Sequence, residues 1–176
     1  VPGKHPRASN WQHTPVWSED QFDFMEDSGQ LQSGYGVVCK GLIVIDVDAR
    51  NGGVDSYARL YDRVPEIAAA GLTVATGSGG GSKHIYFLAP DGCPGLVQIH
   101  NDFPGIDFKS SGYVVGPGSR HASGNAYAIL DGSPSDIEAA PQGLVELLRK
   151  PERHRAEVDG QTYDVAHEDI ADMLKP

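Results

Sequence analysis

Two aspartates stand two residues apart at the end of an apolar, β-branched run. Residues 42–45 are Leu-Ile-Val-Ile, and Asp46, Val47 and Asp48 follow directly. Because side chains alternate across a strand, a strand here points Asp46 and Asp48 to the same face. Paired carboxylates are the hard oxygen ligands that Mg²⁺ or Mn²⁺ prefers. Alone, the same pattern is also typical of acids that simply face solvent at a strand end.

A glycine-rich loop followed by basic residues is the second feature. Residues 77–82 are Gly-Ser-Gly-Gly-Gly-Ser, and Lys83 and His84 come next. Glycine lets backbone N–H groups approach an anion, while Ser82, Lys83 and His84 add donors and charge for phosphate oxygens. The loop lacks the Gly-Lys-Ser/Thr ending of a Walker A motif, and a bare hairpin turn is the alternative interpretation. His84 is the stronger candidate, because it shares a strand face with Tyr86 and Lys83 does not.

A third acid lies on another predicted strand. Asp107 stands in Gly105-Ile106-Asp107-Phe108, and Lys109 follows. Three strand-borne carboxylates beside a phosphate-binding loop would suit a two-metal site, in which one ion activates a hydroxyl and the other holds a triphosphate. A turn acid next to glycine is the alternative interpretation of Asp107.

Composition narrows the classes of protein. The chain has 176 residues, a net charge of −10, 22 glycines, 12 prolines and two cysteines. This predicts one globular domain rich in turns and short strands, without a disulfide framework or a zinc ribbon. A uniformly acidic surface would repel nucleic acid, but residues 40–131 are nearly neutral and would become positive with two divalent cations bound. No apolar run is long enough to cross a membrane and no signal peptide opens the chain, so we expect an intracellular protein.

Hydrophobic periodicity predicts the elements that would position these side chains. A capping box at Ser18 and Gln21 begins a first helix, residues 54–63 form a second, and Leu144, Leu147 and Leu148 mark a third. The predicted strands are residues 36–39, 42–48, 72–75, 83–88, 96–99, 105–108, 113–115 and 126–129. The strands at 72–75 and 83–88 should pair as a hairpin across the glycine-rich loop.

The motifs, taken in order, resemble those of a known superfamily. Residues 42–48, 82–87 and 105–107 are similar to the three motifs of the archaeo-eukaryotic primases: a hydrophobic strand ending in acid-x-acid, Ser-x-His, and a hydrophobic residue followed by Asp. Residues 46–53 and 111–119 look like the bifunctional primase-polymerase (Prim-Pol) domain of phage and plasmid replication proteins. Order and spacing together are far more specific than any one motif.

This resemblance implies an α+β fold, in which an N-terminal α/β unit faces an RRM-like antiparallel sheet across a cleft that holds the active site. We expect residues 1–150 to be the primase-polymerase core, 151–161 a linker, and 162–176 the beginning of a C-terminal helical domain. An amphipathic helix is predicted around residues 170–174. The first residues resemble the middle of a loop, so we expect a fragment of a longer protein.

The resemblance also implies roles for single residues. Asp46, Asp48 and Asp107 would be the catalytic residues that bind two Mg²⁺ or Mn²⁺ ions, and His84 with Ser82 would contact the triphosphate. On charge grounds, Lys83, Lys109 and Arg50 are further candidates for nucleotide binding.

The function implied is a DNA-dependent primase/polymerase that transfers a nucleotide from a ribo- or deoxyribonucleoside triphosphate to a 3′-hydroxyl. The implied partners are nucleoside triphosphates, a single-stranded DNA template, a primer and a helicase domain in the same or another chain. The implied location is the cytoplasm of a bacterial or archaeal host, with a phage or plasmid as the source. Two alternatives stay open: a metal-dependent nuclease using the same acids, and an inactive module that binds nucleotide or DNA.

Overall fold

A computed structural model describes residues 10–13, 17–32, 34–93, 96, 98–149, 153–158 and 161–166. The α-helices are α1 (Glu19–Asp27), α2 (Gly53–Arg63) and α3 (Gln142–Leu148). The strands are β1 (Gly36–Val38), β2 (Leu42–Val47), β3 (Leu72–Ala75), β4 (Lys83–Leu88), β5 (Ile106–Lys109), β6 (Tyr113–Val115), β7 (Ala128–Gly132), β8 (Arg153–Val158) and β9 (Gln161–Ala166).

A five-stranded antiparallel sheet forms the centre of the molecule. Its strand order is β5-β2-β4-β3-β7, so the β2-α2-β3 crossover leaves room for β4 between its two strands. This split β-α-β arrangement, with β5 on the outer side of β2, is the strand order of an RRM-like sheet. The expected α+β class and the hairpin of β3 and β4 are confirmed. In its described residues, the connection from β4 to β5 contains no helix.

The two faces of this sheet differ in chemistry. One face packs its apolar side chains under α2 and α3, with Ile45, Phe87 and Phe108 against Leu60 and Leu144. The opposite face has a smaller apolar cluster that includes the residues Cys39, Val44, Leu72, Val74, Tyr86, Val114 and Tyr127. Period-2 alternation along β2 therefore gives one face to the helices and leaves Asp46 on the other.

A small second sheet lies beside that other face. β1 pairs with β6 in antiparallel register, and Val114 of β6 packs into the smaller apolar cluster. Before β1, α1 begins at the predicted capping box, where Ser18 accepts a hydrogen bond from the Gln21 backbone and the Gln21 side chain accepts one from the Ser18 backbone. α1 and β1 are the described parts of the expected N-terminal unit.

Two predictions about elements are wrong. No strand forms at residues 96, 98 and 99. Instead, the Gln98 side chain bonds both backbone groups of Phe108 and so satisfies part of the β5 edge. β8 and β9 form an antiparallel hairpin where we expected a linker and the beginning of a helical domain. The helix predicted around residues 170–174 lies outside the described residues, and the division into domains stays a prediction.

None of the helices within the described ranges has the length and apolar character needed to span a bilayer.

Candidate active site

Three of the predicted site residues form one row across the central sheet. Asp46 of β2 pairs with His84 of β4 on one side and with Asp107 of β5 on the other. Directly opposed residues in an antiparallel sheet point to the same face and lie within reach of each other. Strand register alone therefore brings together residues that are far apart in the sequence.

His84 sits in a buried aromatic setting on this row. Its Nε2 lies 3.4 Å from Asp46 Oδ1, and its Nδ1 lies 3.5 Å from the Tyr86 hydroxyl. The Tyr127 ring is tilted against the imidazole, with 5.8 Å between centroids. Burial raises the pKa of Tyr86, so its hydroxyl keeps a proton and can donate to Nδ1. The Nε2 atom, on the other side of the ring, faces Asp46.

Asp48 lies in the turn that follows β2. Its carboxylate accepts hydrogen bonds from the backbone N–H, Nε and Nη2 of Arg50 and from the Asn51 side-chain amide, at 2.9–3.2 Å. The Arg50 side chain is the main reason that the pKa of Asp48 lies below its ordinary value. Asp48 is therefore a charged group whose oxygens already have partners.

Asp107 has a different basic neighbour at each oxygen. Lys109 Nζ lies 3.3 Å from Oδ2, and His100 Nε2 lies 3.6 Å from Oδ1. The other imidazole nitrogen of His100, Nδ1, is 3.1 Å from the Ile106 carbonyl oxygen. Sequence reasoning missed His100, because it lies in an irregular connection where no periodicity indicates which way a side chain points.

These side chains open into one cavity of about 470 Å³ between the sheet and β6. Six predicted site residues line it: Asp46, Asp48, Asp107, His84, Lys109 and Arg50. The cavity wall adds residues that the sequence did not single out, among them Thr76, Ser78, Asn51, His100, Tyr113 and Tyr127. The hydroxyls of Thr76 and Ser78 are 2.6 Å apart at the start of the glycine-rich loop.

Comparison with known proteins assigns the family. The family model for the N-terminal domain of bifunctional DNA primase/polymerases, Prim-Pol, matches residues 1–143. The chain belongs to the Prim-Pol family. A search of curated proteins gave no significant match. The Prim-Pol assignment places the chain among DNA primase and polymerase domains of DNA replication, and it covers the whole cavity just described.

Two predicted site residues of this Prim-Pol domain do not line the cavity. Ser82 is buried, and its hydroxyl accepts a hydrogen bond from the Ala49 backbone at 2.9 Å. Lys83 pairs with Val47 on β2, so alternation sends it to the helix face, where its Nζ lies 3.7 Å from the centre of the Tyr57 ring. Burial there lowers the pKa of Lys83. The contacts indicate that Ser82 positions the Asp48 turn and that Lys83 packs on α2, whereas we expected both to bind nucleotide.

The turn after β2 is held against β5 by direct backbone contact. Asp48 donates its backbone N–H to the Gly105 carbonyl at 2.8 Å, and Gly53 donates to the Asp48 carbonyl at 2.9 Å. A Cβ atom on Gly53 would lie 2.5 Å from the Gly105 oxygen and 2.6 Å from the Asp48 oxygen. Position 53 therefore accepts only glycine, because any side chain would collide with these two backbone oxygens. This explains the glycine found there, five residues after Asp48.

The carboxylates of the Prim-Pol cavity suit a divalent cation by their chemistry. Asp46, Asp48 and Asp107 are between 28% and 50% exposed at the side chain and face one cavity, so hard oxygen donors are within reach of solvent ions. As they stand, each is engaged by a basic side chain. Across the described residues, no three His, Cys, Asp or Glu side chains are grouped closely enough to enclose a metal ion.

Proposed function

We propose that this Prim-Pol domain is a template-directed nucleotidyltransferase. A primer or initiating 3′-hydroxyl attacks the α-phosphate of a ribo- or deoxyribonucleoside triphosphate. The new O3′–Pα bond forms as the bond between Pα and the bridging oxygen of pyrophosphate breaks, and pyrophosphate leaves with the electron pair. The proposed setting is replication of phage or plasmid DNA, with a single-stranded template, a primer and a helicase domain as partners.

The observation that supports this proposal most is the row of His84, Asp46 and Asp107 along one wall of the cavity. It places two carboxylates and a hydrogen-bond donor at adjacent positions of a rigid sheet. Asp48 follows Asp46 on the same face, beyond the end of β2. An arrangement held by strand register keeps its geometry without a ligand, which is what positioning of a triphosphate requires.

Asp46, Asp48 and Asp107 are the residues that would hold two Mg²⁺ or Mn²⁺ ions. When bound, such ions activate the attacking hydroxyl and neutralise charge on the leaving pyrophosphate. The basic side chains of the cavity would also bind phosphate. Arg50 and Lys109 line the cavity beside the carboxylates, so each can turn to phosphate oxygens once a cation takes its place at Asp48 or Asp107.

His84 supplies a donor of fixed direction in this scheme. Its Nε2 faces the cavity beside Asp46, and the ring is held by Tyr86 and Tyr127. A buried imidazole of this kind donates to a phosphate oxygen without first losing rotational freedom. Thr76 and Ser78 offer further hydroxyl donors from the same side of the cavity.

A primer-extension assay tests the proposal. The chain is incubated with a labelled primer-template, nucleoside triphosphates and Mg²⁺ or Mn²⁺, beside Asp46→Asn, Asp107→Asn and the control Asp131→Asn on exposed β7. We expect the first two variants to lose about a thousandfold in rate, which is roughly 4 kcal/mol of transition-state stabilisation, and the control to keep wild-type activity.

The same assay separates the rival functions. Metal-dependent cleavage of DNA without triphosphates, lost in Asp46→Asn, would identify a nuclease instead. Triphosphate binding with neither extension nor cleavage would indicate a nucleotide-binding module. Extension that survives in both Asp46→Asn and Asp107→Asn would overturn the assignment of these residues.

A further inference from the structure

Tyr127 lies in the cavity wall, and its hydroxyl has no hydrogen-bond partner in the described part of the protein. The residue is only 5% exposed. Every enclosed side-chain oxygen or nitrogen of the described residues has a partner, so this hydroxyl must face the open space of the cavity. A phenol hydroxyl can donate and accept, and one that has no protein partner in a cavity wall is available to a ligand.

The position of this hydroxyl is fixed by the rest of the residue. The Tyr127 backbone N–H donates to the Ser119 carbonyl at 2.9 Å, and its carbonyl accepts from the Gly118 N–H at 2.8 Å. The ring lies between two imidazoles, with its centroid 5.8 Å from that of His84 and 6.2 Å from that of His121. The hydroxyl therefore keeps its place without a ligand, so binding costs little conformational freedom at this position.

The surroundings of the hydroxyl favour its use as a donor to an anion. Burial raises the pKa of Tyr127, the Asp46 carboxylate raises it further and the Arg50 guanidinium lowers it. The hydroxyl therefore keeps its proton at neutral pH and can donate it in a hydrogen bond. Arg50 and the hydroxyls of Thr76 and Ser78 line the same cavity, so a cation and further donors are available to the same ligand.

We propose that the Tyr127 hydroxyl donates a hydrogen bond to a non-bridging phosphate oxygen of the nucleoside triphosphate. The proposal rests on the proposed function, because it takes a triphosphate as the occupant of the cavity. A phosphate oxygen is favoured over the sugar or the base, because a charged acceptor strengthens the hydrogen bond from a neutral donor. Arg50 must first be released from Asp48 to reach the same anion, whereas Tyr127 gives up no existing hydrogen bond.

Calorimetric binding of two ligands tests the proposal without catalysis. The ligands are inorganic tripolyphosphate and a nucleoside triphosphate with a non-hydrolysable link between its α- and β-phosphates, each with Mg²⁺ in the buffer. Tyr127→Phe removes only the hydroxyl and keeps the ring beside His84. We expect this variant to raise the Kd of both ligands about tenfold. The control Tyr61→Phe, at an exposed position of α2, should bind both ligands as the wild type does.

Several outcomes would overturn the phosphate contact. Unchanged Kd values in Tyr127→Phe would do so, and so would weaker binding of the nucleoside triphosphate alone, because the hydroxyl would then contact the sugar or the base. A lower free energy of unfolding in this variant would show that the hydroxyl has a protein partner instead. A wild type that binds neither ligand would overturn the contact and the proposed function together. A wild type that binds both ligands but extends no primer would contradict only the proposed function.

Discussion

At Asp48, a single carboxylate accepts four hydrogen bonds from Arg50 and Asn51. The Arg50 guanidinium occupies the side of the carboxylate that a cation would need, and it is itself 65% exposed. An exposed ion pair of this kind contributes little to stability, because solvent screens the attraction. In the function proposed above, Arg50 is therefore a competitor that a divalent ion would displace from Asp48 at small cost.

The substitution Arg50→Ala should consequently strengthen metal binding in the absence of nucleotide. We expect the Kd for Mn²⁺, measured by electron paramagnetic resonance, to fall about two- to fivefold, because Asp48 no longer has to release a partner. Triphosphate binding should weaken in the same variant, because the substitution removes the positive charge of the Arg50 guanidinium from the cavity. Arg63→Ala, at the end of α2, is the control. A Kd for Mn²⁺ that rises in Arg50→Ala would contradict this view of the ion pair.

Single residues of the site were predictable to different degrees. Asp46, Asp48, Asp107 and His84 could be found because alternation and motif spacing specify which face a strand residue takes. The same alternation argued against Lys83, and the structure places it on the helix face. No local rule gives the direction of a side chain in an irregular connection, so His100 could not be found.

At the scale of elements, the approach of α2 to the connection before β5 sets the position of the Asp48 turn. Gly53 and Gly105 allow the two backbones to touch, and the Ser56 hydroxyl donates to the Pro104 carbonyl at 2.6 Å one turn further along. The position of the Asp48 turn therefore depends on a contact between α2 and the connection before β5, and neither segment carries Asp46, Asp48 or Asp107.

Gly53→Ala should unfold this contact. A Cβ atom there meets backbone oxygens, which cannot move aside as a flexible side chain can. We expect a loss of about 2–4 kcal/mol in the free energy of unfolding, measured by urea titration.

Gly143→Ala in α3 is the matched control for this substitution. The nearest atom to its Cβ is a Val64 methyl at 3.4 Å, so alanine should be neutral or stabilise by up to about 1 kcal/mol. Equal effects of the two substitutions would show that the backbone contact at Gly53 has no special importance.

Most elements with a clear period were predictable from the sequence. β2, β4 and α2 follow the predicted spans closely, because each combines an apolar repeat with glycine-rich or polar boundaries. The hairpin of β8 and β9 was missed because its sequence has no such apolar repeat. Its residues are mostly polar and read as a linker, so their pairing depends on partners that no local pattern reveals.

The apolar cluster on the cavity side of the sheet contains two buried ionisable side chains, Cys39 and Tyr86. Cys39 is fully buried beside Val44 and Val114 in the cluster on the cavity side of the sheet. Burial raises the pKa of its thiol from 9.0 to about 11, and burial raises the pKa of neighbouring Tyr86 in the same direction. The folded state therefore holds these protons more tightly than the unfolded state does.

Stability should fall in alkaline solution for this reason. Between pH 9 and 11 the unfolded chain loses the Cys39 proton and the folded chain keeps it, so the free energy of unfolding decreases as pH rises. We expect the thiol to account for about 2 kcal/mol of this decrease, measured by urea titration.

Cys39→Ala is the comparison for the alkaline measurement. It should be less stable at pH 7.5, because it leaves a small cavity, but its stability should decline less steeply above pH 9. Tyr86 contributes to the slope that remains, together with the other tyrosines whose pKa burial raises, Tyr35, Tyr57 and Tyr127. Parallel pH profiles for the two proteins would contradict the assignment of this decrease to Cys39.

The overall topology was the part least accessible to residue-level reasoning. The sequence indicates strands, but it does not show that β5 joins the outer side of β2 while β4 enters between β2 and β3. These pairings join distant segments, and the resemblance to archaeo-eukaryotic primases implied beforehand only that the sheet is antiparallel and RRM-like. The side chains of the row then followed from the register without further assumptions.

The register of β2 also affects how cellular quality control would treat a misfolded molecule. A shift of one residue against β4 or β5 would turn Asp46 toward the helices and Ile45 toward the cavity. Such a molecule would bury acid and expose apolar surface, the features by which chaperones and proteases select their clients. We therefore expect cellular quality control to remove molecules in which His84, Asp46 and Asp107 are not aligned.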